Sequence, residues 1–163
     1  MTIDNARIRA AVAELLPETQ EFLCDLLRFP STCGREHDAM IWLEQRFQQA
    51  GIPVTRVPMS NRLRQDPDYS TPVPDIEYDG RFNLSVGRPA DGAGRTLLFN
   101  VHTDVVPPSE GQDTPWEPRL DGDRVFARGA CDDKGPLASL YLLFRVLQRL
   151  GADAKGGVLG HLV

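Results

Sequence analysis

The sequence is short of the features that would send a chain into a membrane, out of the cell or onto nucleic acid. No apolar run reaches the ~18 residues that a bilayer span needs, so no membrane partner is expected. The opening Met1-Thr2-Ile3-Asp4-Asn5-Ala6-Arg7 has no basic stretch followed by an apolar one, and no secretory signal is expected. Lys and Arg form no stripe and the net charge is −5. Nucleic acid is therefore not an expected partner, and the acidity reads as simple solubility. There are only 3 cysteines (Cys24, Cys33 and Cys131), odd in number and without C-x-x-C spacing. That pattern points to free thiols in a reducing compartment, the cytoplasm. Cys131 is expected to be a small buried residue. What is present is ordinary for a soluble domain: 163 residues, 41% hydrophobic and 25% charged, long enough for one domain with a real core.

Periodicity supplies the elements. Ile8, Ala11, Val12, Leu15 and Leu16, then Phe22, Leu23, Leu26 and Leu27, lie on one helical face. Pro17 interrupts that face, which predicts a kink or two short helices. Residues 36–50 form a second amphipathic helix with Met40, Leu43 and Phe47 inward, stopped by Gly51. Residues 52–57 and 82–86 read as strands, and 89–94 as a Gly-rich turn. The apolar run Thr96-Leu97-Leu98-Phe99-Asn100-Val101 suits a strand buried on both faces. Asp121-Gly122 marks a hairpin within residues 120–126. A buried helix starts near Pro136, which fits the first helical position, and runs to Leu150 with Gly151 beyond it. Residues 158–163 open a further strand. Residues 61–80 hold Pro67, Pro72 and Pro74 with no period, and predict an exposed, mobile loop. The succession of elements suggests a three-layer α/β sheet.

Two short motifs carry the chemistry. In Val101-His102-Thr103-Asp104-Val105-Val106-Pro107, His102 and Asp104 are two apart at the end of an apolar strand. Side chains so spaced share a face, and ligand sites in α/β sheets lie beyond the carboxyl ends of strands. A metal-bound histidine commonly donates its second ring N–H to a carboxylate, and Asp104 is placed to receive it. In Ala127-Arg128-Gly129-Ala130-Cys131-Asp132-Asp133-Lys134-Gly135, adjacent carboxylates stand at a helix entrance. Capping accounts for Asp133. His102 thirty residues earlier makes Asp132 a candidate ligand. His37 is expected to be solvated on a polar helix face, and His161 to be structural or solvent-facing.

The paired motifs resemble those of the zinc aminoacylase family, which includes acetylornithine deacetylase, succinyl-diaminopimelate desuccinylase and the glutamate carboxypeptidases. Leu27-Arg28-Phe29-Pro30-Ser31, the helix from Glu36, and Pro115-Trp116-Glu117-Pro118 are similar to further elements of that family. Val101 departs mildly, where the family often has Gly, Ala or Ser. The resemblance implies a three-layer α/β/α sheet of the zinc-peptidase type. It implies that His102 is a terminal zinc ligand and Asp104 the catalytic carboxylate orienting it. Asp132 would be the aspartate bridging two zinc ions, with a cis bond to Asp133. In the family a Glu-Glu pair, further ligands and a dimerisation domain follow the strand resembling Gly160-His161-Leu162-Val163.

Residues 1–163 are accordingly expected to be the N-terminal portion of a zinc-dependent hydrolase catalytic domain. Its substrate would be an N-acyl amino acid or a small dipeptide. The alternative expectation is a chain that is catalytically silent by itself, or an interaction module. Weak or partial zinc binding and self-association through an uncovered sheet are the expected behaviours of the isolated polypeptide.

Overall fold

The computed structural model describes residues 3–70, 76–90, 94–152 and 156–163. Helix α1 spans Asn5–Leu27 and opens at Asp4, whose carboxylate accepts the Arg7 N–H at 2.9 Å. It runs as one helix through Pro17, the first of the two expected alternatives as far as continuity goes, and not as two short helices. A helix-interior proline forfeits one ladder hydrogen bond, but here both halves of the helix bury one stripe. Ala11 and Leu15 pack with Val146. Phe22 and Leu26 enter the main core, where Phe22 stacks on Tyr141 at 4.2 Å. Tertiary packing outweighs the local defect. Helix α2, His37–Gln49, buries Ala39, Met40, Leu43 and Phe47. Helix α3, Lys134–Leu150, ends at Gly151 in the left-handed conformation with φ 57°. Among the described residues no helix is long and apolar enough to cross a membrane.

The main sheet contains β1 (Val54–Pro58), β2 (Phe82–Arg88), β3 (Thr96–Val101) and β6 (Gly157–Leu162) in the order β1-β2-β6-β3. Pairings β1–β2 and β2–β6 are antiparallel, whereas β3–β6 is parallel with Val101 opposite Leu162. Strands β4 (Arg119–Asp121) and β5 (Arg124–Phe126) form the expected separate hairpin.

Phe82, Leu84 and Val86 alternate along β2 and join Val101 and Leu162 in one core with all three helices. Helix α3 lies close against β6: a Cβ on Gly160 would stand 2.6 Å from Leu140 and 2.9 Å from Val86. The α/β class is as expected, and the described residues supply one helical layer and the sheet. Strand β3 is not buried on both faces. It stands last among the described strands, with Leu97 57% and Leu98 52% exposed.

Residues 61–70 and 76–80 are more ordered than their composition predicts. They open with a 3-10 turn, Asn61–Gln65. The Asn61 side chain accepts the Tyr78 N–H at 3.1 Å and donates to the Asp79 carboxylate at 2.9 Å and to Glu77. Residues 71–75 of this segment, and 91–93 of the predicted Gly-rich turn, lie outside the described residues.

Candidate metal centre

The site is built where β3 runs out. Beyond Val101 the chain stays paired with the end of β6: the Thr103 N–H donates to the Val163 carbonyl at 2.7 Å, and the Val163 N–H to Val101 at 3.0 Å. This extended geometry puts His102 and Asp104 on one side. The His102 Nδ1 lies 3.0 Å from the Asp104 carbonyl and 3.1 Å from Asp104 Oδ1. Two acceptors face that nitrogen, so it carries a proton and donates. The remaining nitrogen, Nε2, faces a carboxylate that can only accept, so it donates there as Nε2–H, and a metal would take the place of that proton. Nε2 points at Asp132, 2.9 Å from Oδ1.

The electrostatics follow from these contacts. Partial burial pulls the His102 pKa down. The Asp132 hydrogen bond, the Asp104 carbonyl and the Asp104 and Asp133 charges outweigh it and hold it above the usual value. The Asp132 side chain is 86% exposed, so its carboxylate is open to an incoming cation.

The loop before α3 makes this approach possible. Gly129 has φ 80°, and a Cβ there would stand 2.5 Å from Val105 Cγ1. Only glycine lets the loop close against the His102 segment. The Asp132–Asp133 peptide is cis, as the resemblance implies. Asp133 does not cap α3 with its side chain. Its carboxylate instead accepts the His102 backbone N–H at 3.3 Å, while its carbonyl accepts the Leu137 N–H at 3.0 Å. Cys131 is exposed rather than buried, because it lies in a loop lining the same concavity as His102 and Asp132. His37 is exposed at the start of α2 and meets Phe82 edge-on at 5.9 Å. His161 lies half-buried on β6 opposite Asn100. Neither histidine joins the His102–Asp132 pair.

The sequence reading passed over three residues that hold the site together. Lys134 is fully buried, and its ammonium donates to the carbonyls of Leu26 at 3.1 Å and Phe29 at 2.8 Å. Burial pushes its pKa down to about 8. Ser31 Oγ donates to the Thr103 carbonyl at 2.7 Å. Thr103, also fully buried, donates its hydroxyl to Val163 at 3.0 Å. The available signal was Pro30: a proline four residues after Leu26 leaves a helix-end carbonyl without its ladder donor.

Residues 98–160 match the model of Peptidase family M20/M25/M40. Over that stretch the chain is similar to that family. It is 33% identical over 147 residues to succinyl-diaminopimelate desuccinylase of Methylocella silvestris, covering 88% of this chain and 34% of that protein. Its fold is similar to that of the di-peptidase Dug1p from Saccharomyces cerevisiae, with TM-score 0.75, 19% identity, and coverage of 96% of this chain and 34% of that one. A Bacillus subtilis M20 protein described as a dinuclear metal binding peptidase aligns with TM-score 0.58 and 17% identity, over 94% of this chain and 35% of that one. The chain thus spans about a third of the length of the relatives it matches.

The chain's donor chemistry suits a metal in kind. An imidazole nitrogen and a carboxylate oxygen from separate segments converge to 2.9 Å, and both belong to the N/O set that zinc takes. In number the site is partial. Among the described residues no group of three or more His, Cys, Asp or Glu side chains is placed to hold an ion, whereas a catalytic zinc normally has three protein ligands.

Proposed function

We propose that this chain forms the His102–Asp132 side of a zinc-dependent amidohydrolase site. The whole site would hold two zinc ions and cut the amide of an N-acyl amino acid or small dipeptide. The observation that carries this reading is the line Asp104–His102–Asp132, with Nδ1 held by Asp104 and Nε2 2.9 Å from Asp132 Oδ1. His102 would be a terminal ligand, and Asp132 the carboxylate shared between ions. Asp104 keeps the imidazole in the tautomer that presents Nε2 outward and raises its basicity. Asp133 fixes the height of the His102 backbone through its hydrogen bond to the N–H. When bound, zinc supplies polarisation of the amide carbonyl and a lowered pKa for a bound water. The family name and the names of the relatives support this class of substrate and reaction. All three cysteines are free thiols, which supports a reducing, cytoplasmic setting.

By itself the 163-residue polypeptide offers two donors, and we expect it to be silent in hydrolysis. The exposed Leu97 and Leu98 on marginal strand β3 support self-association of that polypeptide. The test is complementation. The chain should be co-expressed with the remaining segment of an intact M20 relative and assayed on N-acetyl and N-succinyl amino acids with and without zinc. Zinc-dependent turnover that disappears in His102→Ala is the expected result. Turnover indifferent to His102→Ala overturns the proposal.

A further inference from the structure

We infer that the buried turn Phe29-Pro30-Ser31, together with Lys134, is the positioning device that sets the separation of His102 from Asp132. The inference rests on the proposed reading of those two residues as ligands. They come from segments 30 residues apart, joined directly by the Asp133 carboxylate on the His102 N–H at 3.3 Å. One turn at the end of α1 touches both segments. On one side, Ser31 Oγ donates to the Thr103 carbonyl at 2.7 Å, and the Ser31 carbonyl accepts the Val105 N–H at 2.8 Å. Those bonds flank Asp104, and the first falls on the residue after His102. On the other side, Lys134 directly follows Asp132-Asp133. It donates to Phe29 at 2.8 Å and to Leu26 at 3.1 Å.

The sequence explains why the turn is receptive. Residue 30 is proline and has no N–H to give Leu26. That carbonyl is left with the long 3.3 Å contact from the Phe29 N–H, and a buried carbonyl in that state attracts a donor. The Lys134 chain is fully enclosed and Ser31 is 1% exposed, so water does not substitute for either group. Both clamps are hydrogen bonds to backbone, which hold position without presenting a group to a substrate. Ser31 and Lys134 are therefore positioning residues that act through Asp132, His102 and Asp104.

The experiment compares Ser31→Ala, Lys134→Met and Ser31→Thr with Tyr141→Phe, which loses a buried hydrogen bond remote from the turn. Each 163-residue variant is read for melting temperature, for the nitrogen NMR shifts of the His102 ring, and for affinity toward zinc alone. Ser31→Ala and Lys134→Met should move both His102 ring-nitrogen resonances and weaken zinc about tenfold, the usual loss when an outer-shell partner of a ligand is removed. Ser31→Thr, which keeps the hydroxyl, should restore most of the affinity. Tyr141→Phe should lower the melting temperature with unchanged ring shifts and affinity. If Lys134→Met fails to fold, Ser31→Ala carries the test. Unmoved ring resonances in a folded Ser31→Ala overturn the inference. If the wild-type chain binds no zinc, the metal reading suffers alone, because the ring resonances still report on the clamp.

Discussion

Tyr141 couples α3 to α1 through a charge, and its removal should change the shape of the stability curve at high pH. The ring is 3% exposed, and its hydroxyl donates to Glu18 at 2.7 Å. Arg145 donates to the same carboxylate at 3.0 Å. Burial, and then the Glu18 hydrogen bond and charge, push the Tyr141 pKa up from 10.0 to about 12. The folded state therefore keeps a proton that the unfolded chain gives up. This contribution is complete below pH 10 and drains away as pH climbs toward about 12. At about 1.4 kcal/mol per pKa unit, the shift corresponds to roughly 2.7 kcal/mol over that interval.

Near neutrality Tyr141→Phe loses one hydrogen bond to a charged acceptor, generally about 1.5–3 kcal/mol. Glu18 keeps Arg145 and its side chain is 35% exposed, which places the loss at the lower end, about 1.5 kcal/mol. Wild type should thus be more stable up to pH 10, and the two stability curves should cross at about pH 11. Urea unfolding followed by far-UV circular dichroism from pH 8 to 12 measures the difference, and other titrating groups cancel in it. A wild-type-minus-variant difference that is flat across that range would show that Tyr141 titrates no differently folded than unfolded, and the reasoning would fail.

In calorimetry the chain should bind zinc weakly and below two ions per monomer, since catalytic sites use three protein ligands. His102→Ala should remove most of that binding and Asp133→Ala less; two tightly held ions would refute the two-donor picture. Zinc affinity should also fall as pH drops through the raised His102 value, because the proton and the metal compete for Nε2. Asn61→Ala should speed amide exchange over residues 76–80 while changing global stability by no more than about 1 kcal/mol, because the bonds it breaks are mostly exposed. Leu98→Lys should reduce self-association in sedimentation velocity by charging the marginal strand; an unchanged distribution would remove β3 from the interface.

How much of this was legible varied with the kind of information involved. Helix α3 could be read nearly whole: its apolar positions repeat at the helical period and Gly151 takes the left-handed residue beyond its end, but it begins at Lys134, two residues before the start expected at Pro136. The hairpin at Gly122 and the stop at Gly51 were equally local. His102, Asp104 and Asp132 were legible as residue types at a spacing, and the fold brings them together. Lys134 was not legible, because a lysine inside a polar motif looks the same whether its amine is in water or enclosed against two carbonyls. Whether α1 continues through Pro17 or divides there could not be read for a related reason. A proline's cost is local, and the packing of Ala11, Leu15, Phe22 and Leu26 that offsets it involves α3, more than a hundred residues away.

Periodicity, turn chemistry and the two motifs determined by themselves that this is an α/β chain with an imidazole and a carboxylate as candidate ligands. These properties depend on neighbours within a few residues, and such neighbours are written in order along the chain. Tertiary structure alone decided that β3 stands last among the described strands, beside β6. An apolar run specifies burial without saying which strand pairs beside it, and here β6 occupies one side of β3. It also decided the 2.9 Å approach of His102 to Asp132. That distance belongs to two segments tied to a third, the turn at Pro30, and only folding brings all three into contact.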